Sequence, residues 1–402
     1  MRRSLFLAIL LCWSALLARS QTYLVLPFFN ETSSEHAASS NLDWISESIA
    51  RSIREGLSSR GMLVLDRDDI LEAYRRLSIR PNARLTHASV IKVAEALDAT
   101  EVIYGEFEFT PAPAGEGGSR GSLSIAAHTI DTQHMRKGPD FSESGALEDL
   151  AKLQSHLAWQ TLDELAPDLA PPAERFMQEQ TPIRLDALEN YIRGLMATSA
   201  DQKHRYFTQA VRLDSHFSQP DFELGRLYWD KKEYRLAADW LARVSPSSQR
   251  YLEANFLLGL CRYYIGDYAG AQTAFELVVQ SVPLNEVYND LGAAQSRRGE
   301  PGALASFQKA LEGDPSDPDY EFNVGYALWK SGDFTRAAEH FRAVLDRKPD
   351  DEAATLLLGR CIARTGPRPM DPKAEPFERL KLNYEEGAYR QLKAALESRK
   401  GK

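Results

Sequence analysis

The 402-residue sequence has three cysteines, one long apolar run and no block of basic residues. Three cysteines cannot make the disulfide framework of a small secreted scaffold. A formal charge of −9 and no basic run make the chain a poor candidate for binding nucleic acid or anionic lipid. The apolar run, Leu5 to Ala18, falls short of the roughly 20 residues that span a bilayer. No G-x-x-x-x-G-K-[ST] or G-x-G-x-x-G is present, so nothing cradles a nucleotide phosphate. No H-E-x-x-H occurs, and no His pairs with a Cys at metal-ligand spacing. The remainder, 43% apolar and 26% charged, is ordinary soluble composition, enough for about two or three domains at ~150 residues each.

Arg2 and Arg3 precede the apolar run, which ends at the small-x-small triplet Ala18-Arg19-Ser20. This is the pattern of a cleavable secretory signal peptide over residues 1–20, cut before Gln21. The leader holds three arginines and no acid, so the formal charge becomes −12 without it. Leu11 before Cys12 does not suit lipidation, and the expected location is the periplasm or the envelope. Cys261 and Cys361 then remain, too far apart in the repeat register below to bridge, and are expected as buried small residues.

Residues 21–168 read as an α/β domain. Thr22 to Phe28 is a short apolar run that suits a buried strand. Leu42, Ile45, Ile49, Ile53 and Leu57 recur at helical spacing after Asn41, and Gly61 closes that helix. Met62 to Leu65 is a second strand. Asp66 and Asp68 are expected to cap a helix burying Ile70, Leu71, Tyr74 and Leu77, and Thr86 one burying Val90, Val93, Ala94 and Leu97. Glu101 to Phe109 and Gly121 to Ile130 alternate with period two and flank a Pro/Gly/Ala/Ser loop, which predicts a hairpin. Gly105, inside the first of these strands, marks a bulge or a close approach. A last helix, Leu147 to Leu165, gives the order β-α-β-α-α-β-β-α and a mixed sheet. With VLPFFN (Val25 to Asn30), VLDRDD (Val64 to Asp69), ALDATEVIYGEF (Ala96 to Phe107) and IDTQ (Ile130 to Gln133), the domain resembles the TolB amino-terminal family and the related FlgO and CsgG envelope domains. The resemblance implies a non-catalytic assembly or interaction domain of the bacterial envelope.

Pro167, Pro171 and Pro172 mark a linker over residues 169–184. Beyond it, Leu-Gly or Val-Gly pairs recur at Gly225, Gly259, Gly292, Gly325 and Gly359, spaced 34, 33, 33 and 34 residues apart. Leu241, Phe275, Phe307 and Phe341 follow the first four by about sixteen, each preceded by an alanine. This resembles the tetratricopeptide repeat (TPR), an all-α solenoid over residues 185–366 with five units after a degenerate first (Ala187 to Asp214). One unit cannot bury its apolar face alone, so at least ~3 must stack. Residues 367–402, with Tyr384, Gly387, Tyr389 and Leu392, are expected to form closing helices and a solvated tail. Asn190 to Gly194 (NYIRG) resembles the segment joining TolB-like domains to TPRs in bacterial proteins.

The chemistry is weighed residue by residue. Gly117-Gly118-Ser119-Arg120-Gly121 matches G-x-S-x-G, but that nucleophile elbow needs a strand followed by a helix, and here it sits between two strands. His128 and His134 lack a third ligand, so strand-surface histidines are expected rather than zinc. No catalytic residue, metal or cofactor is expected. The functional case rests on the repeat groove. In TPRs, positions 2, 5, 9, 12 and 13 of each first helix line the concave face. The Gly register puts there Phe222, Arg226, Trp229, Phe256, Tyr263, Tyr264, Asn289, Arg297, Phe322, Tyr326, Trp329, Arg360 and Arg364. Aromatics with a few cations suit a protein or peptide segment with apolar anchors. The groove is either open to an envelope partner or covered by the chain itself. The alternative function is ligand sensing, with a small molecule bound by the α/β domain.

Overall fold

The structure, a computed structural model, describes residues 21–32, 42–113, 120–180, 182–367 and 378–400. The leader, Asn41 and Ser119 lie outside the described residues. The chain divides into two compact units between Ile192 and Arg193.

The front unit carries one mixed sheet. Its strands are β1 (Thr22–Val25), β2 (Phe29–Asn30), β3 (Leu63–Val64), β4 (Glu101–Pro111), β5 (Gly121–Asp131) and β6 (Arg136–Ala146). The order is β3-β1-β4-β5-β6, with β2 added beside β4. β3, β1 and β4 run parallel, and β4-β5-β6 form an antiparallel meander, so the expected hairpin is present and extends by one strand. Pleating sends alternate residues to opposite faces. Leu24, Leu26 and Val102 lie with α2 (Arg67–Arg76) and α3 (His87–Ala96) through Ile70, Tyr74, Val90 and Val93. Ile130, directly opposite Val102 in the β4–β5 register, joins the same cluster. Helix α1 (Asp43–Ser58) contacts β1 and β4, and α4 (Leu150–Leu165) contacts β6. The two pack on each other where Gly56 meets Ala158, and Ser48 donates to Gln154 at 2.8 Å. Thr86 caps α3 as expected, accepting from the Ser89 N–H. Asp66 holds the same position on α2 without a side-chain cap. Gly105 is a close approach: a Cβ there would lie 2.5 Å from the Phe28 ring.

The segment read as a linker is not free chain. It contains α5 (Ala173–Gln178), whose buried Phe176 packs under Arg60 in the front unit. Helix α6 (Leu185–Met196) follows, and Arg51 lies over its Tyr191 ring. Prolines flank α5 rather than unwinding it.

The back unit is a solenoid of helix pairs. After α7 (Ala200–Leu213) come α8 (Gln219–Asp230) with α9 (Tyr234–Leu241), α10 (Tyr251–Tyr264) with α11 (Tyr268–Ser281), α12 (Asn285–Arg298) with α13 (Ala303–Gly313), α14 (Pro318–Lys330) with α15 (Phe334–Arg347), then α16 (Glu352–Ile362). The recurring glycines are contact residues. A Cβ at Gly259 or Gly292 would meet Phe275 or Phe307 within 2.8 Å, and one at Gly194 would meet Phe207 at 2.4 Å. The first unit is therefore jointed like the others. Phe207, Phe275, Phe307 and Phe341 are fully buried in these joints, each worth roughly 1.5–3 kcal/mol. Most pairs turn through one left-handed residue: Lys232, Gly266, Gly299 and Gly332.

Candidate functional site

The expected closing helices at the carboxyl end are half present. Helix α17 (Glu386–Lys400) forms, but residues 378–385 are extended and lie across the first helices of the central repeats. Lys, Glu and Leu favour a helix by propensity, and the contacts made by the extended form override it.

Two buried amides hold the main chain of this tail. Asn323 Nδ2 donates to the Arg379 carbonyl at 2.8 Å, and the Arg379 N–H donates back to Asn323 Oδ1 at 2.9 Å. Asn289 Nδ2 donates to the same carbonyl at 2.7 Å, and its own oxygen accepts from Asn323. Two residues on, the Lys381 N–H donates to Asp290 Oδ1 at 2.9 Å. Asn289, Asp290 and Asn323 are wholly buried. Burial pushes the Asp290 carboxyl well above the ordinary aspartate range, against the hydrogen bonds it accepts from Lys381 and Asn289.

The tail side chains enter separate pockets. The Glu378 carboxylate is fully buried; Ser296 Oγ donates to it at 2.8 Å, with Arg297 3.6 Å and Lys330 3.8 Å away. Burial lowers the Lys330 pKa, with Glu378 opposing. The Arg379 guanidinium lies 3.7 Å above the Phe322 ring, bonds both Asp351 oxygens at 2.7 Å and reaches Asp319 at 3.1 Å. Lys381 Nζ pairs with Asp317 at 2.7 Å and Asp319 at 2.8 Å. Burial works against the charge on Asp319, yet Lys381 and Arg379 hold its pKa below the usual range. Leu380 packs on the solenoid core, the Tyr384 ring sits 5.4 Å from that of Phe256, and Leu382 faces solvent, 52% exposed.

Of the thirteen predicted groove residues, Phe256, Asn289, Arg297 and Phe322 meet the tail. Of the two alternatives, open or covered, the aromatics lie on the covered side: Phe222, Phe256 and Phe322 are buried, Phe322 edge-on to Phe341 and Phe256 beside Phe275. Tyr326 and Trp329 stack 5.7 Å apart, and Trp329 Nε1 donates to the Thr365 carbonyl. Tyr263 is buried against Tyr268. Arg226 reaches over Phe222 and Arg360 over Trp329, while Arg364 is exposed in the turn after α16. Trp229 and Tyr264 form a cluster with Tyr234, and Tyr264 keeps 43% of its surface in water. Missed were Asp290, Asn323, Asp319 and Asp351, whereas Ser296 and Lys330 fall at groove positions 12 and 13 of the glycine register. Asp290 and Asn323 stand two residues before the repeat glycine, where other units carry Leu257 and Leu357, and that exchange of Leu for a polar residue is the available signal.

The front unit has a second candidate, a cavity of about 240 Å³ lined by Pro27, Phe29, Arg84, His87, Tyr104 and His128. His128 is hydrogen-bonded to Asp140 at 2.6 Å and Glu106 at 3.1 Å, and Tyr104 to His87 at 2.9 Å. Burial lowers the His128 pKa, but the two carboxylates outweigh it and raise it overall. His134 pairs with Asp131. No group of three or more His, Cys, Asp or Glu is placed to hold a metal among the described residues. No described helix is long and apolar enough to cross a membrane. Cys261 and Cys361 are free and buried.

Tetratricopeptide-repeat family models match residues 322–366 and 253–285. These two stretches are tetratricopeptide repeats. Similar solved structures include a MamA protein, 19% identical over 38% of this chain and 91% of that one, with a TM-score of 0.36. YrrB, described as a TPR protein with an unusual peptide-binding site, is 19% identical over 50% of this chain and 96% of its own, at 0.40. Pseudomonas aeruginosa pilF is 18% identical over 41% and 76%, at 0.35. No curated protein matches the chain.

Proposed function

We propose that this protein is an exported, non-catalytic adaptor of the bacterial envelope whose concave TPR face grips an extended stretch of polypeptide. The observation that carries the reading is the pair Asn289 and Asn323. Two wholly buried amides direct their hydrogen bonds to one backbone carbonyl, and Asn323 takes the N–H of the same residue in return. Burying amides is costly unless they are satisfied, so a wall of this kind is built around a main chain. The leader sequence supports export, and the resemblance of the front domain to TolB-type domains supports the envelope, where that domain docks a second component. The test is affinity capture from envelope extract with residues 21–402, beside the Asn289→Ala/Asn323→Ala variant checked by circular dichroism. A partner held by the wild type and lost by the folded variant supports the reading. Identical captures, or none, overturn it.

The front cavity favours one other reading, small-molecule sensing, because it gathers Arg84, His87, Tyr104 and His128 around an open volume. A ligand there raises the melting temperature of the front unit in proportion to RT ln(1 + [L]/Kd). A metabolite screen that moves no transition removes it.

A further inference from the structure

Resting on the reading of the TPR face as a polypeptide-binding surface, we infer that residues 378–384 are a built-in competitor, and that the partner presents the same side-chain order: acid, base, apolar, base, two free positions, aromatic. The tail makes three kinds of contact, and each sets a requirement. The amides and Asp290 fix an extended backbone and its register. The Ser296, Arg297 and Lys330 pocket is a fully enclosed anion site, occupied here by a carboxylate with no surface in water. The next position meets an aromatic floor and two carboxylates, Asp319 and Asp351, in a fork that suits a planar guanidinium. The base at the fourth position faces Asp317 and Asp319. The apolar third position and the aromatic seventh pack on the solenoid core, the latter beside Phe256. Positions five and six, Leu382 and Asn383, are exposed and carry no requirement.

The groove is cationic at the first position and anionic at the second and fourth, so a segment shifted by one residue places an acid against Asp319 and Asp351 or a base against Arg297 and Lys330. Such like-charge juxtaposition rejects wrong partners more strongly than correct pairs attract. The tail is tethered, so it competes at an effective concentration set by its linkage rather than by protein concentration. A partner therefore binds after the tail is weakened, displaced or removed.

The test uses the whole mature chain. A fluorescein-labelled peptide of residues 378–390 is titrated by anisotropy into wild type and into the tail variant Glu378→Ala/Arg379→Ala/Tyr384→Ala, which leaves every groove residue in place. The variant is expected to bind the peptide at least tenfold more tightly than wild type. A peptide with the same residues scrambled is expected to bind the variant at least tenfold more weakly, as is the native peptide once Asn323→Ala is added. Wild type and tail variant binding equally overturns the competitor. Native and scrambled peptides binding equally overturns the side-chain order yet leaves the polypeptide-binding surface standing. A natively folded tail variant that takes neither peptide overturns both, and makes the tail a structural strut. A wild type that sediments as a dimer, dissolved by free peptide, places the tail in a second copy and overturns the competition within one chain.

Discussion

In the front unit, buried polar side chains serve the elements on which they sit. Ser48 and Gln154 join α1 to α4, Thr161 returns its hydroxyl to the Leu157 carbonyl one turn earlier, and Thr100 bonds the Thr22 backbone at the start of β1. In the back unit, Asn289, Asp290, Ser296 and Asn323 are just as buried, but their bonds converge on three residues, Glu378, Arg379 and Lys381, of a segment about 55 to 90 positions away in the chain. Both arrangements satisfy buried polar groups, as folding requires. Only the second holds an extended strand by its backbone with charged pockets beside it. The contrast separates polar burial that ties neighbouring elements together from polar burial that holds a distant stretch of main chain.

The largest expected effect tests the solenoid joints against their own exception. Gly292→Ala forces a Cβ onto Phe307 at 2.7 Å and is expected to cost about 3 kcal/mol, as overpacking does, while Gly359→Ala meets nothing within 4 Å and is expected to stabilise by up to about 1 kcal/mol. Thermal denaturation of the two variants checks both signs. Next, Asn323→Ala removes a donor and an acceptor from the tail, a loss of about 1–3 kcal/mol felt at that contact. Hydrogen exchange is expected to speed up at residues 379–384, with the front unit unchanged. Equal change in both units breaks the contrast drawn above.

A smaller effect involves pH. Asp221 is buried with Oδ1 unsatisfied, and burial, opposed by Arg243, raises its pKa to about 6. An acid whose folded pKa is raised contributes stability below its unfolded value, and that stability is lost as pH rises from about 4 through 6. Asp221→Asn is thus expected to stabilise the back unit by on the order of 2 kcal/mol at pH 7.5 and by little at pH 4. Denaturant titrations at the two pH values decide it. The smallest effect is in the front unit. His128 has a raised folded pKa, so its contribution is full below about 6.5 and fades as pH rises through the folded value. His128→Gln is expected to flatten that slope in a pH series of front-unit melts.

Most of the fold was legible because period and spacing carry it. The glycine register placed every helix pair, and the alternation of Ile103, Phe107 and Phe109 against Leu123 and Ile125 placed the hairpin. Strand β6 escaped because RKGPDFSESGA is a polar edge strand with little to bury. Helix α5 escaped because its prolines read as a linker. The site was less legible. Projection from the glycines found Asn289 and Phe322, but the tail around Tyr384 and Tyr389 has helical spacing that holds only from Glu386 onward. Its extended half is fixed by partners at Asp290, Asn323 and Asp351, and no local window contains such contacts.

The two free thiols give the solenoid reporters of its own. Cys261 sits in a central repeat with no surface in water, its thiol pushed by burial up to about 12, and Cys361 lies in the last repeat helix, 3% exposed. Repeat arrays fray from their ends, because a terminal unit has one neighbour and a central unit two. Under a thiol reagent in native buffer, Cys361 therefore labels at the rate of end-fraying and Cys261 at the rate of interior opening. The lag between them clocks how the array unzips.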